Sequence, residues 1–238
     1  MMIVTETKNK AIVFKDIDIH LSLDELLNGI RSKNTSRKII ETAELCLKKT
    51  ENIIRPKAVA RWLAINEINR EKVSFTDHNN NSIILDPGFS SRFLKGAKSA
   101  LFSVYTIGSK LEKESAKASA KGHCLESYIY DIIGLLSLEK TRVFINKTAE
   151  NKARESGWGV GSFLSPGSVH GWELTDQHSL CSALPLNEID VEIRDDAILI
   201  PFKSISCLIA IGPEYKKNRV GSTCDVCSGS EHCQMKQI

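Results

Sequence analysis

The chain has 238 residues, 42% hydrophobic and 26% charged, and 32 basic against 29 acidic side chains leave a net charge of +3. That length buries a full core in one domain or in two. The small charge argues against a nucleic-acid or membrane-surface binder, which needs a concentrated positive face, and no apolar run reaches the roughly 18 to 20 residues of a membrane helix. Residues 1–20 mix Glu6, Lys8, Lys10, Asp16 and Asp18 with short apolar stretches and lack the continuous apolar core of a secretory signal, so a cytoplasmic, reducing setting is expected. Cysteine is the compositional oddity: of seven, Cys224, Cys227 and Cys233 crowd the last fifteen residues.

In chain order, Ile17, Ile19 and Leu21 alternate with polar residues and predict a strand. Ser22 followed three residues later by Glu25 is a capping-box signature for a short helix carrying Leu23, Leu26, Leu27 and Ile30. A longer helix follows, with Ser36 as cap and Ile39, Ile40, Ala43 and Leu47 on one face. Residues 56–85 change to short β-rich runs, 59–65, 73–75 and 83–85, punctuated by a turn at 79–81. Residues 101–107 predict a buried strand, and Gly108 and Ser109 then open a helix. Two further helices are predicted, an apolar one over 125–145 and a polar one over 147–155. A loop over 157–171, a helix over 174–183, two strands flanking the turn at 194–196, and a last strand over 205–211 follow. Pro213 is expected to close the packed part. The organisation predicted is one mixed α+β domain over 1–212 and a cysteine-containing tail over 213–238.

Gly157, Gly159, Gly161, Gly167 and Gly171 fall in the 157–171 loop, with Trp158 inside it and Trp172 at its end. Glycine at that density lets the backbone approach a ligand, and indole supplies a flat apolar wall, so the segment suits a small-molecule site. It equally suits a long connection crossing the surface. The spacing is not a dinucleotide fingerprint, because a polar helix precedes it where that motif needs a strand.

Within this loop, Leu164-Ser165-Pro166-Gly167, continuing through Gly171-Trp172-Glu173-Leu174 to Gln177, resembles the Ser-Pro-Gly-Tyr-Gly-Asp-Trp-Pro-Leu...Gln element of the activation (reactivation) domain of cobalamin-dependent methionine synthase, with one extra residue here. Three more matches occur in order. Thr106-Ile107-Gly108 with Leu111-Glu112, Asp131-Ile132-Ile133-Gly134, and Pro201-Phe202-Lys203-Ser204-Ile205-Ser206 resemble that family's Thr-Ile-Gly...Leu-Glu, Asp-Ala-Ile-Gly and Pro-x-Lys-Ser-Val-Ser segments. The resemblance spans roughly residues 50–212 and implies an α+β fold on a twisted antiparallel sheet with flanking helices.

It further implies a stand-alone protein that supports S-adenosylmethionine-dependent reductive reactivation of a corrinoid methyltransferase, with cobalamin carried on the partner. The loop residues Ser165, Pro166, Gly167, Ser168, His170 and Trp172 would then face the donor or the corrinoid. Two positions depart from the family pattern. Where the synthases place an Arg before the Pro-Gly pair and a Tyr after it, this chain has Phe163 and Ser168. A guanidinium clamp for the donor's carboxylate is therefore missing there, at a cost of roughly ten-fold or more in affinity. Lys152, Arg154 and Lys203 are the substitute cations considered.

In the tail, Cys224-Asp-Val-Cys227 and Cys233 form a C-x2-C-x5-C pattern able to grip a metal, with Cys207 or His232 as a candidate fourth ligand. The set suits zinc or an iron-sulfur cluster. Alternative functions are thus an iron-sulfur or zinc reductive activator of a corrinoid protein, or a scaffold that has lost donor binding. Cys46, Cys124, Cys181 and Cys207 are expected to be structural thiols. His123 and His178 lack a ligand or triad spacing, and Asp131 and Glu139 lie two turns apart on one predicted helix.

Overall fold

A computed structural model of the chain describes residues 2–30, 36–168, 171–222 and 226. Among them, an eight-stranded antiparallel sheet runs in the order β1 (Ile3–Glu6), β2 (Ile12–Lys15), β3 (Lys57–Ile68), β6 (Ser99–Thr106), β10 (Ser204–Gly212), β7 (Gly159–Leu164). The far half of β3 also pairs with β4 (Val73–Thr76), and β4 pairs with β5 (Ser82–Leu85). The central strands are buried on both faces, which explains their nearly unbroken apolar runs. In β6, Ala100, Phe102 and Val104 face one core while Leu101 and Tyr105 face the other.

Four helices cover the second face: α1 (Leu23–Gly29), α2 (Arg37–Thr50), α3 (Lys110–Ala120) and α4 (Cys124–Glu155). The expected capping box opens α1: Ser22 Oγ accepts from the Glu25 N–H at 3.2 Å, and Glu25 accepts from the Ser22 N–H at 2.9 Å. The first face carries α5 (Gln177–Ser182), the short hairpin of β8 (Glu192–Ile193) and β9 (Leu199–Ile200), and 3-10 turns including Leu186–Ile189.

Four expectations change. The alternating residues 17–21 form no strand; β2 ends at Lys15, and the segment crosses toward α2 and α4. The two helices expected over 125–155 are one helix of 32 residues. The shift to polar sequence after Ile145 is a change in exposure alone, because Ala149 and Ala153 continue the buried stripe at four-residue spacing. Third, residues 159–164 are an edge strand, not a loop. Fourth, Pro213 does not end the packed chain. Val160 N–H donates to Lys217 O at 2.8 Å, Phe163 N–H to Gly221 O at 3.0 Å, and Gly221 N–H to Gly161 O at 3.2 Å. Residues 214–222 thus cover the free edge of β7, which would otherwise expose unpaired backbone groups.

Gly159 follows from that covering. A Cβ on it would lie 2.0 Å from the Tyr215 carbonyl oxygen, so only glycine admits the returning chain.

Candidate functional site

The first turn of the family-like loop is tight. Ser168 N–H donates to Ser165 O at 3.1 Å, Gly167 takes φ +74°, and its N–H donates to Trp172 O at 2.9 Å. A side chain at Gly167 would be strained in that left-handed region and pressed on Leu174. The turn is fixed from below by buried polar contacts. Ser165 Oγ donates to Ser206 O at 2.7 Å, Ser206 Oγ donates to Gln177 Oε1 at 2.6 Å, and Gln177 Nε2 donates to Ala197 O. The Ser-Pro-Gly element, the distal Gln and the Lys-Ser-x-Ser strand are therefore one connected unit.

The remaining matched segments meet at Lys203. Its N–H donates to Glu112 Oε1 at 2.6 Å and its ammonium lies 3.1 Å from Asp131. Gly134 leaves room for the lysine stem, whose Cε would be 2.4 Å from an added Cβ. Lys203 O accepts from Ile107 N–H and Thr106 Oγ1, both at 3.3 Å. These residues dock the start of β10 on α3 and α4, and Lys203 is spent on that task. Lys152 pairs with Glu155, and Arg154 donates to Asn151, both at the far end of α4. None of the three cations considered from the sequence lines the loop's groove.

That groove has a volume of about 590 Å³. Ser204, Ile205, Ser206 and Tyr105 make its floor with Phe163; Ser165, Pro166, Ser168, Leu174 and Gln177 make one wall. Ile198, Leu199 and Phe202 form a rim on which the Phe202 ring is 69% exposed. The opposite wall belongs to α4 and contains Glu139 and Arg142. Arg142 donates to Glu139 through Nε at 2.8 Å and Nη2 at 2.5 Å, and its guanidinium lies 5.5 Å from the Phe163 ring centroid. Burial opposes the guanidinium's charge, but the Glu139 carboxylate outweighs it and lifts the pKa. The buried Tyr105 hydroxyl on the floor has no hydrogen-bond partner among the described residues, and desolvation drives its pKa well up. A cation, a carboxylate, a phenol and two phenyl rings thus converge on one open groove.

Of the loop residues expected to face a ligand, Ser165, Pro166 and Ser168 line this groove. Gly167 sets the turn. Trp172 does not face it: the indole is 2% exposed in the first core, with Nε1 donating to Asp176 at 2.6 Å. His170, Cys224, Cys227, Cys233 and His232 lie outside the described residues. Among the described residues no group of three or more His, Cys, Asp or Glu side chains is arranged to hold a metal ion. Cys207 is fully buried in the helix-side core, where desolvation raises its thiol pKa. Cys46 and Cys181 are buried as expected, whereas Cys124 is exposed at the start of α4. Sequence reasoning weighed Glu139 only beside Asp131 and missed Arg142, whose signal was an i, i+3 ion pair with Glu139 within a largely apolar helix.

No protein-family model and no curated protein matches the chain. Among solved structures, the MetH reactivation domain, crystallised bound to AdoHcy, aligns with a TM-score of 0.56 over 86% of this chain and 79% of its own, at 13% identity. The fold is that of the MetH reactivation domain. The antiparallel sheet with flanking helices expected from the loop resemblance is thus the observed architecture. No helix among the described residues is long and apolar enough to cross a membrane.

Proposed function

We propose that the protein is activation-domain-like in role as well as fold: it holds S-adenosylmethionine in the groove beside Ser165–Ser168 and presents it to the cobalamin of a corrinoid-carrying methyltransferase. The observation that carries this reading is the guanidinium of Arg142 in the groove of a reactivation-domain fold, over the ring of Phe163, the residue that stands where the family has its Arg. The residues suit the donor's chemistry. Arg142 would pair with the donor's carboxylate, and Glu139 with its ammonium or sulfonium. Phe202, 69% exposed, offers a ring face to a sulfonium. Bound S-adenosylmethionine supplies an electrophilic methyl group and departs as a neutral thioether. The chain's own part is to orient the donor and keep the groove open toward a partner, with no protein acid or base required.

Calorimetric titration with S-adenosylmethionine and S-adenosylhomocysteine tests the reading, with capture of a corrinoid methyltransferase as its second arm. Saturable binding that weakens roughly ten-fold or more in Arg142→Gln supports it. Absence of binding together with absence of corrinoid-protein capture overturns it. A second reading, a scaffold that recognises the corrinoid partner without a donor, is favoured by the closure of Arg142 on Glu139. Capture of the partner without donor binding would select it. A zinc or iron-sulfur centre in the tail is supported by the Cys224, Cys227, Cys233 spacing. Iron, sulfide and zinc analysis after anaerobic purification tests that.

A further inference from the structure

A second cavity, on the helix side of the sheet, has no part in the groove. It measures about 420 Å³ and is enclosed by residues 16–21, the C-terminal end of α2 with the turn after it, and α4. Ile17, Ile19, Leu21, Leu47, Ile54 and Ile133 give it an apolar body. The alternation that mimicked a strand in the sequence thus lines this wall. Residues 18–21 make no backbone–backbone hydrogen bond among the described residues; they link Ile17, which donates to Pro56 O, to the Ser22 cap.

The polar groups of the cavity are unbalanced. Asp16, Asp18 and Glu51 are exposed at its lining. The last turn of α2 contributes Leu47 and Thr50, which brings the negative end of the helix dipole to the same place. Against them stand Arg55 and an exposed His20. Arg55 Nη1 is already donating to the carbonyls of Glu51 and Ile54, at 3.3 and 2.9 Å. Deeper in, Ser137 lies one turn from Ile133 on the same face of α4. Its hydroxyl is buried, the residue being 1% exposed, and it has no partner among the described residues. A buried hydroxyl left unpaired carries a desolvation cost that a ligand's polar atom would relieve.

We propose that this cavity binds a small amphipathic cation, an ammonium group on a short aliphatic body. The aliphatic part lies against the isoleucine and leucine wall, the ammonium sits among Asp16, Asp18 and Glu51, and a polar atom on the body meets Ser137. The site is independent of the donor groove and stands or falls apart from it.

The test is amide chemical-shift titration of the full chain with n-hexylammonium, with 6-amino-1-hexanol, and with hexanoate as the anion of matched apolar length. The expected result is saturable shifts at Leu47, Ile54 and Ser137 with both amines, tighter for the amino alcohol, and none with hexanoate. Asp16→Asn combined with Asp18→Asn, both surface changes, should weaken the amines by about three- to ten-fold. Equal response to hexanoate, no saturable response to the amines, or unchanged affinity in the double variant overturns the proposal.

Discussion

Arg142 of α4 holds its guanidinium 5.5 Å from the ring of Phe163 on β7, so a helix supplies to the groove the charge that the strand position lacks. Lysine does not reproduce this arrangement, because an ammonium neither stacks on the ring nor makes two parallel bonds to Glu139. Arg142→Lys and Arg142→Gln are therefore both expected to lower S-adenosylmethionine affinity by roughly ten-fold or more, with folding stability changed by about 1 kcal/mol or less. Calorimetry beside a thermal melt separates the two effects.

Ser206 is fully buried, and its hydroxyl donates to Gln177 Oε1 at 2.6 Å. Ser206→Ala would leave that amide oxygen buried without its donor, at a cost of about 1 to 3 kcal/mol. Because Ser206 O also anchors Ser165 Oγ, the turn itself should stay in place. Denaturant unfolding should record the loss, and an unchanged midpoint would show that the relay is not formed.

Gly159→Ala places a methyl 2.0 Å from the Tyr215 carbonyl oxygen, a backbone atom that cannot swing aside. We expect residues 214–217 to be displaced, with about 2 kcal/mol or more of destabilisation. Tyr215 then loses the bond from its hydroxyl to Phe93 O, which a change in tyrosine fluorescence and faster proteolysis near Lys216 and Lys217 would report.

Glu25 is bound by Lys140 and by the Ser22 backbone, and these contacts hold its carboxyl down to about 2. Its folded pKa lies below the unfolded one. The contribution is therefore fully present above the ordinary carboxylate range and is lost as pH falls toward 2. Stability measured from pH 6 to pH 2 should decline less steeply in Glu25→Gln than in the parent chain, the variant being the less stable of the two at pH 6.

The segments that carried the family resemblance are those whose side chains lock one another. Lys203 with Asp131 and Glu112, at the helix-side surface, and Ser165 with Ser206 and Gln177, in the buried interior, occupy positions where one residue type satisfies a fixed geometry, and such positions remain legible in a single chain. Gly159 and Gly161 misled because glycine is normally depleted in strands. Their cause, the return of residues 214–217, lies more than fifty residues away in sequence. Ile17, Ile19 and Leu21 misled for the opposite reason: alternation reports one buried side, and a cavity wall buries one side without any ladder. Arg142 was out of sight because the helix that delivers it meets the Ser165–Ser168 turn only in three dimensions.

A helix of 32 residues packed against the sheet along its length has little freedom at its middle, which is where Glu139 and Arg142 sit. Their entropy of ordering is lost when the chain folds and need not be lost again when a ligand arrives. Whatever adapts during recognition is then on the other rim, where Phe202 projects into solvent. The groove is in effect a vice with one fixed jaw, and differences among ligands should register in the mobility of Phe202 far more than in the position of Arg142.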